Sequence, residues 1–144
     1  MDKKIEAIKL FLEKMPSNEL FGLEILDINH QELVLKIPFK EVFLGDFIQR
    51  RWHGGILASI IDSAGGILGS MTFESYEDRI NTIDLRVDYL HRTHDSDLFA
   101  KATIIKSGKR IIVVDVNLYH KDKRILTTGR VTCSVLRNKV FEEI

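Results

Sequence analysis

The sequence predicts an α+β protein in which a six-stranded antiparallel sheet curls around one central apolar helix, with an extra helix at the N-terminus. Three observations carry this. Residues 54–71 are apolar on every side, so a helix there has to be surrounded rather than laid on a surface. Several runs alternate apolar and polar with period two, the mark of half-buried strands. Their connections are short, which favours antiparallel pairing over parallel βαβ units.

The elements follow in order. Within residues 3–15, Ile5, Ile8, Leu12 and Met15 recur at helical spacing, widened by Ala7, Leu10 and Phe11, and the helix closes near Pro16. From Gly22 to Ile37 the period shortens to two, and Asn29-His30-Gln31 breaks the run into two hairpin strands. Residues 39–52 keep no steady period and predict a long loop, a length that usually serves a function. The apolar helix begins at Gly54. Strands follow at about 80–91, 97–107, 110–120 and 124–136, with turns at Ser107-Gly108-Lys109 and Lys121-Asp122-Lys123. In Thr82-Ile83-Asp84-Leu85-Arg86-Val87-Asp88-Tyr89 the alternation is unbroken, which predicts a strand with one dry face.

The 144 residues suit one domain, 1–144, with the N-terminal helix over 1–16 and the core over 20–137. Lys plus Arg equals Asp plus Glu at 21 each, so no charge excess points to nucleic acid. The apolar run Ile56–Met71 is shorter than the ~20 residues of a membrane span and contains Asp62, so no membrane association is expected. A single cysteine, Cys133, and an opening without a secretory pattern predict a reducing cytoplasm. Cys133 shares its strand phase with Val131 and Val135 and predicts a packed thiol rather than a nucleophile.

The chemistry concentrates in Trp52-His53-Gly54-Gly55 and the helix that follows. Two glycines at a helix start leave N–H groups bare at the positive end of the macrodipole, where an oxyanion can sit; the bland alternative is a tight turn into the helix. Asp62 in the middle of an apolar helix loses solvation unless something uses or neutralises it. Its structural alternative is capping a loop or pairing with an arginine such as Arg86 across the core. Gly54 and Asp62 are eight residues apart, ~12 Å along one helix, too far to meet one carbonyl. If they act together, each must come from a different subunit of a dimer. His53 either holds the loop or the carboxylate in position, or is a histidine satisfied by nearby backbone. His91-Arg92-Thr93-His94-Asp95 lacks further convergent ligands, so no metal is expected.

At this point the chain resembles a known family. His53-Gly54-Gly55, Asp62 nine residues after the histidine, the Asp62-Ser63-Ala64-Gly65-Gly66 continuation and the 82–90 strand look like hotdog-fold acyl-CoA thioesterases of the PaaI type, over roughly residues 20–137. The resemblance implies a helix wrapped by a six-stranded sheet, a homodimer commonly assembled into a homotetramer, and active sites at the dimer interface. It also implies Asp62 as the catalytic carboxylate, acting as general base on water or as nucleophile through an anhydride that water opens, Gly54 as the N–H that polarises the thioester carbonyl, and His53 as the motif histidine. Supporting candidates are Gly55, Ser63, Thr82 beside the catalytic water, and Asp46 where many relatives carry Asn. Strict alternation groups Thr82 with Asp84 and Arg86, so reaching Asp62 requires a bend at the strand start. Lys106, Lys109 and Arg110, grouped at a turn, are candidates for coenzyme A phosphates; the alternative is a solvated turn. A thiol leaves with pKa near ~8.5, so no strong general acid and no cofactor are needed. The competing readings are a non-catalytic acyl-CoA-binding or regulatory protein, and a hydratase or dehydratase on the same scaffold.

Overall fold

The structure is a computed structural model describing residues 2–137; the two ends of the 1–144 domain lie outside the described residues. α1 (Lys3–Lys14) is capped by the Asp2 carboxylate, which accepts from Lys4 N, and buries Ile8 and Leu12. A one-turn helix, α2 (Asn18–Phe21), follows and ends at Gly22, whose φ of 63° lies in the left-handed region. β1 (Glu24–Ile28) and β2 (Glu32–Ile37) form the expected hairpin.

Residues 39–52 are not the irregular loop that the lack of period suggested. A 3₁₀ turn (Glu41–Phe43) leads into a small hairpin of β3 (Leu44–Asp46) and β4 (Arg51–Trp52). The Asp46 carboxylate accepts from Ile48 N and Gln49 N, and Arg50 turns the chain at a φ of 55°. Phe43 and Trp52 stack at 5.0 Å inside the core. Strands of two and three residues are too short to show a period.

The apolar helix is α3 (Gly54–Gly69), continued by a 3₁₀ turn (Ser70–Thr72). Together they span 19 residues at mean hydropathy 1.3, long and apolar enough by composition to cross a membrane, more than the 56–71 run suggested. Here the helix packs across the sheet. β5 (Arg79–Tyr89), β6 (Leu98–Ser107), β7 (Ile111–Tyr119) and β8 (Ile125–Leu136) complete a six-stranded antiparallel sheet in the order β1-β2-β6-β7-β8-β5. Its inner face supplies Leu33, Leu35, Ala100, Val114, Val116 and Val131, all fully buried against Ile60, Ile61, Ala64 and Leu68 of α3. Burying this much apolar side chain, with each Leu, Ile and Val worth ~1.5–3 kcal/mol, fixes the helix in place.

β5 differs from expectation in two ways. Its register slips between Thr82 and Asp84, so Ile80 and Thr82 point inward before the bulge, and Leu85, Val87 and Tyr89 after it. Neither face is dry: Ile83 is 56% exposed and Tyr89 55%. The strand ends the sheet, and its outer edge has no neighbour among the described residues.

Candidate active site

The bulge at Ile83 is what builds the site. Thr82 pairs with Cys133 of β8, whose side chain is wholly buried, so Thr82 is turned toward α3. Its hydroxyl donates to Asp62 Oδ1 at 2.6 Å. The bend required to bring these two residues together is therefore present. Asp62 is half-buried and opens onto a cavity of about 1030 Å3 between α3, β5 and α1. It is less buried than its apolar helix suggested, because this face of α3 looks into the cavity instead of the sheet. Nor does it pair with Arg86, which lies near Asp88 at 3.4 Å. Ser63 lines the same cavity. Cys133 borders it too, packed as expected; burial pushes its thiol up from the ordinary range, opposed by a hydrogen bond with Thr82.

A second group gathers at the start of α3. His53 is the N-cap residue, extended at φ −63° and ψ 130°, and its Nδ1 accepts from Gly55 N at 2.9 Å. The His53 carbonyl takes the N–H groups of Ile56 and Leu57. That leaves the Gly54 N–H, which has no partner among the described residues, as the donor facing outward at the positive helix end. A side chain at Gly55 would come within 2.8 Å of the His53 ring, and one at Gly45 within 2.8 Å of the His53 backbone. Glycine at both positions lets the histidine seat as the cap. Tyr89, an apolar position in the alternating pattern of its strand, donates to the Gly54 carbonyl at 2.7 Å and lays its ring beside Gly54. Alternation already groups Tyr89 with the inward Leu85 and Val87; what it could not signal is the bond of the Tyr89 hydroxyl to the Gly54 carbonyl.

Other expected residues fall elsewhere. Asp46 spends one oxygen on its own turn. Lys106, Lys109 and Arg110 are exposed around the β6–β7 turn. The Arg110 carbonyl accepts from Val135 N, and Val135 pairs with Ile80, so this turn stands at the Asp62 end of the sheet. The His91–Asp95 cluster disperses: His91 meets Arg124, His94 stacks on His120 at 5.1 Å, and Asp95 pairs with Arg50. Two cavity-wall supports carried no sequence signal. Asp78 is 2% exposed, takes Glu74 N and meets Arg137 at 3.2 Å; Lys4 donates from α1 to the Met71 carbonyl.

A sheet wrapped on an apolar helix, a carboxylate on that helix braced by a strand hydroxyl, and a bare N–H at the helix start together define a hotdog-fold hydrolase. The profile of the Thioesterase superfamily matches residues 50–127, more than half of the chain. The chain belongs to the thioesterase superfamily, and it is a thioester hydrolase. It is 29% identical to the medium/long-chain acyl-CoA thioesterase YigI of Salmonella typhimurium over 90% of this chain and 94% of that one. An X-ray structure of another thioesterase-superfamily protein superposes with a TM-score of 0.84 at 27% identity, covering 94% of this chain and all (100%) of that chain. A thioesterase family protein from Silicibacter pomeroyi has the same fold, with a TM-score of 0.84 at 19% identity, covering 94% and 99%.

Proposed function

We propose that the chain hydrolyses acyl-CoA thioesters, in the manner of the PaaI type, as a homodimer in which Asp62 of one subunit faces Gly54 of the partner subunit. The observation that carries this is the Gly54 N–H at one end of α3, unpartnered among the described residues, and the braced Asp62 two turns further on. Eight residues at 1.5 Å rise separate them by ~12 Å, so one chain supplies half of each site. A long β5 edge with exposed Ile83, followed by exposed Leu90, supports pairing with a second copy, since an open apolar edge otherwise invites aggregation. The name of the YigI relative, together with the large apolar-walled cavity beside Asp62, supports medium to long acyl groups.

In the proposed reaction the Thr82 hydroxyl holds Asp62 Oδ1, leaving Oδ2 to take a proton from water. The oxygen of that water bonds to the thioester carbon, and the carbonyl oxygen becomes an oxyanion at the N–H of Gly54 of the partner subunit. Collapse breaks the C–S bond and expels coenzyme A as a thiolate, stable enough near its pKa of ~8.5 to leave without a strong acid. His53 acts by position, occupying the Gly55 N–H and holding the loop against α3. Lys106, Lys109 and Arg110, at the Asp62 end of the sheet, are suited to the coenzyme phosphates.

The test is release of free thiol from butanoyl-, octanoyl-, dodecanoyl-, palmitoyl- and phenylacetyl-CoA. Hydrolysis by the native protein and a loss of at least ~100-fold in Asp62→Asn, with folding retained, are expected. No hydrolysis of any of these, or an unchanged rate in the variant, overturns the proposal; tight acyl-CoA binding without turnover favours a binding protein.

A further inference from the structure

The second half of α3 holds three glycines, and two have a packing reason. A Cβ on Gly65 would stand 2.7 Å from Val131, and one on Gly69 2.5 Å from Ile80 Cδ1, so strand side chains press against the helix backbone there. Gly66 differs. Among the described residues a Cβ there meets nothing within 4 Å, and its φ is not in the left-handed region. Neither packing nor backbone conformation calls for a residue that weakens a helix interior.

Gly66 lies one turn beyond Asp62 on the same helical face, and both line the cavity. Ile67 and Ser70 continue that wall, while Ala7 and Phe11 of α1 face it across the space. From Asp62 to Ser70 the trough runs eight residues, ~12 Å. Carbon–carbon bonds of ~1.5 Å at ~111° advance ~1.25 Å each, so about ten carbons of an extended chain fit beyond the carboxylate.

Resting on the acyl-CoA hydrolase reading above, we propose that Gly66 is the specificity-determining position of this enzyme. The missing side chain admits the distal part of an unbranched acyl chain between α3 and α1. Ala7 limits the same passage from the opposite wall. The reacting carbonyl stays at Asp62, and the alkyl tail runs away from it over Gly66.

Gly66→Leu and Ala7→Leu test this, each by the ratio of kcat/KM for dodecanoyl-CoA to that for butanoyl-CoA. A fall of at least about tenfold in this ratio is expected in both, the scale on which a pocket discriminates by as little as one methylene. Gly66→Ala should give a smaller fall. An unchanged ratio in variants that still hydrolyse either substrate overturns the role of Gly66 and leaves the hydrolase reading standing. Failure of the native protein on all five CoA esters strikes the hydrolase reading instead. If Gly66→Leu does not fold, the ratio in Ala7→Leu, on the peripheral helix, decides alone.

Discussion

Gly54→Pro removes one hydrogen-bond donor and almost nothing else. Gly54 is the first helical residue of α3, where the N–H has no intrahelical acceptor and proline is favoured. The residue before a proline has to be extended, and His53 already is, at φ −63° and ψ 130°. The Gly54 carbonyl keeps its bond from Tyr89, and the added Cβ meets the Tyr89 ring at 3.4 Å, a contact that needs only a slight shift of that exposed side chain. Folding should therefore survive. Removal of one oxyanion donor costs ~2.7–4 kcal/mol in the transition state, a factor of about 10²–10³ in kcat. Gly54→Ala brings the same Cβ but keeps the N–H, and should stay within about tenfold of the native rate. Steady-state hydrolysis of octanoyl-CoA, with thermal melting as a check on folding, measures both. A folded proline variant as active as the alanine variant refutes the assignment of Gly54 as the carbonyl-polarising donor.

Three further outcomes are expected. Thr82→Val removes a hydrogen bond to a charged carboxylate, worth ~1.5–3 kcal/mol, and should lower kcat about 10- to 150-fold while Thr82→Ser recovers most of it; equal loss in both variants contradicts a bonding role. Gly65→Ala forces a methyl group against Val131 and should destabilise by about 1 kcal/mol or more once its helix gain is subtracted. Gly66→Ala should instead stabilise by ~0.5–1 kcal/mol, so the two melting midpoints move in opposite directions. His120 accepts from His94 N at 2.8 Å, and burial lowers its imidazole below the ordinary 6.5. The unfolded chain then binds more protons, so this contribution to stability is full above about pH 6.5 and is lost as the pH falls through the unfolded value toward the folded one. Denaturant titrations at pH 7.5 and 5.5 should show the loss, and His120→Gln should reduce it; an equal loss in the variant removes His120 as its source.

The sheet and its central helix were legible because the strands of residues 79–136 are long enough to show their period, and because α3 is apolar on all sides. The bulge at Ile83 was not, since a register is set by the partner strand. The residues 82–89 alternate without interruption while their inward face changes parity. That change turns Thr82 inward to Asp62, on the same face as Tyr89 at Gly54, so the detail hardest to infer from one strand completes the site. Asp62 itself stood out as a charge in an apolar helix. Its half-exposure did not, because α1, distant in sequence, forms the far wall of the cavity. At the helix start, the Gly-Gly pair left open which N–H stays bare; the bond from Gly55 N to the His53 ring decides it.

Activity regained by mixing two inactive variants tests the shared site most directly. Asp62→Asn chains and Gly54→Pro chains, unfolded and refolded together in equal amounts, give hybrid dimers as about half of the population. Each hybrid holds one site with both native groups, so about one quarter of the native activity should return if the groups come from different subunits. A mixture no more active than its two parents contradicts the account.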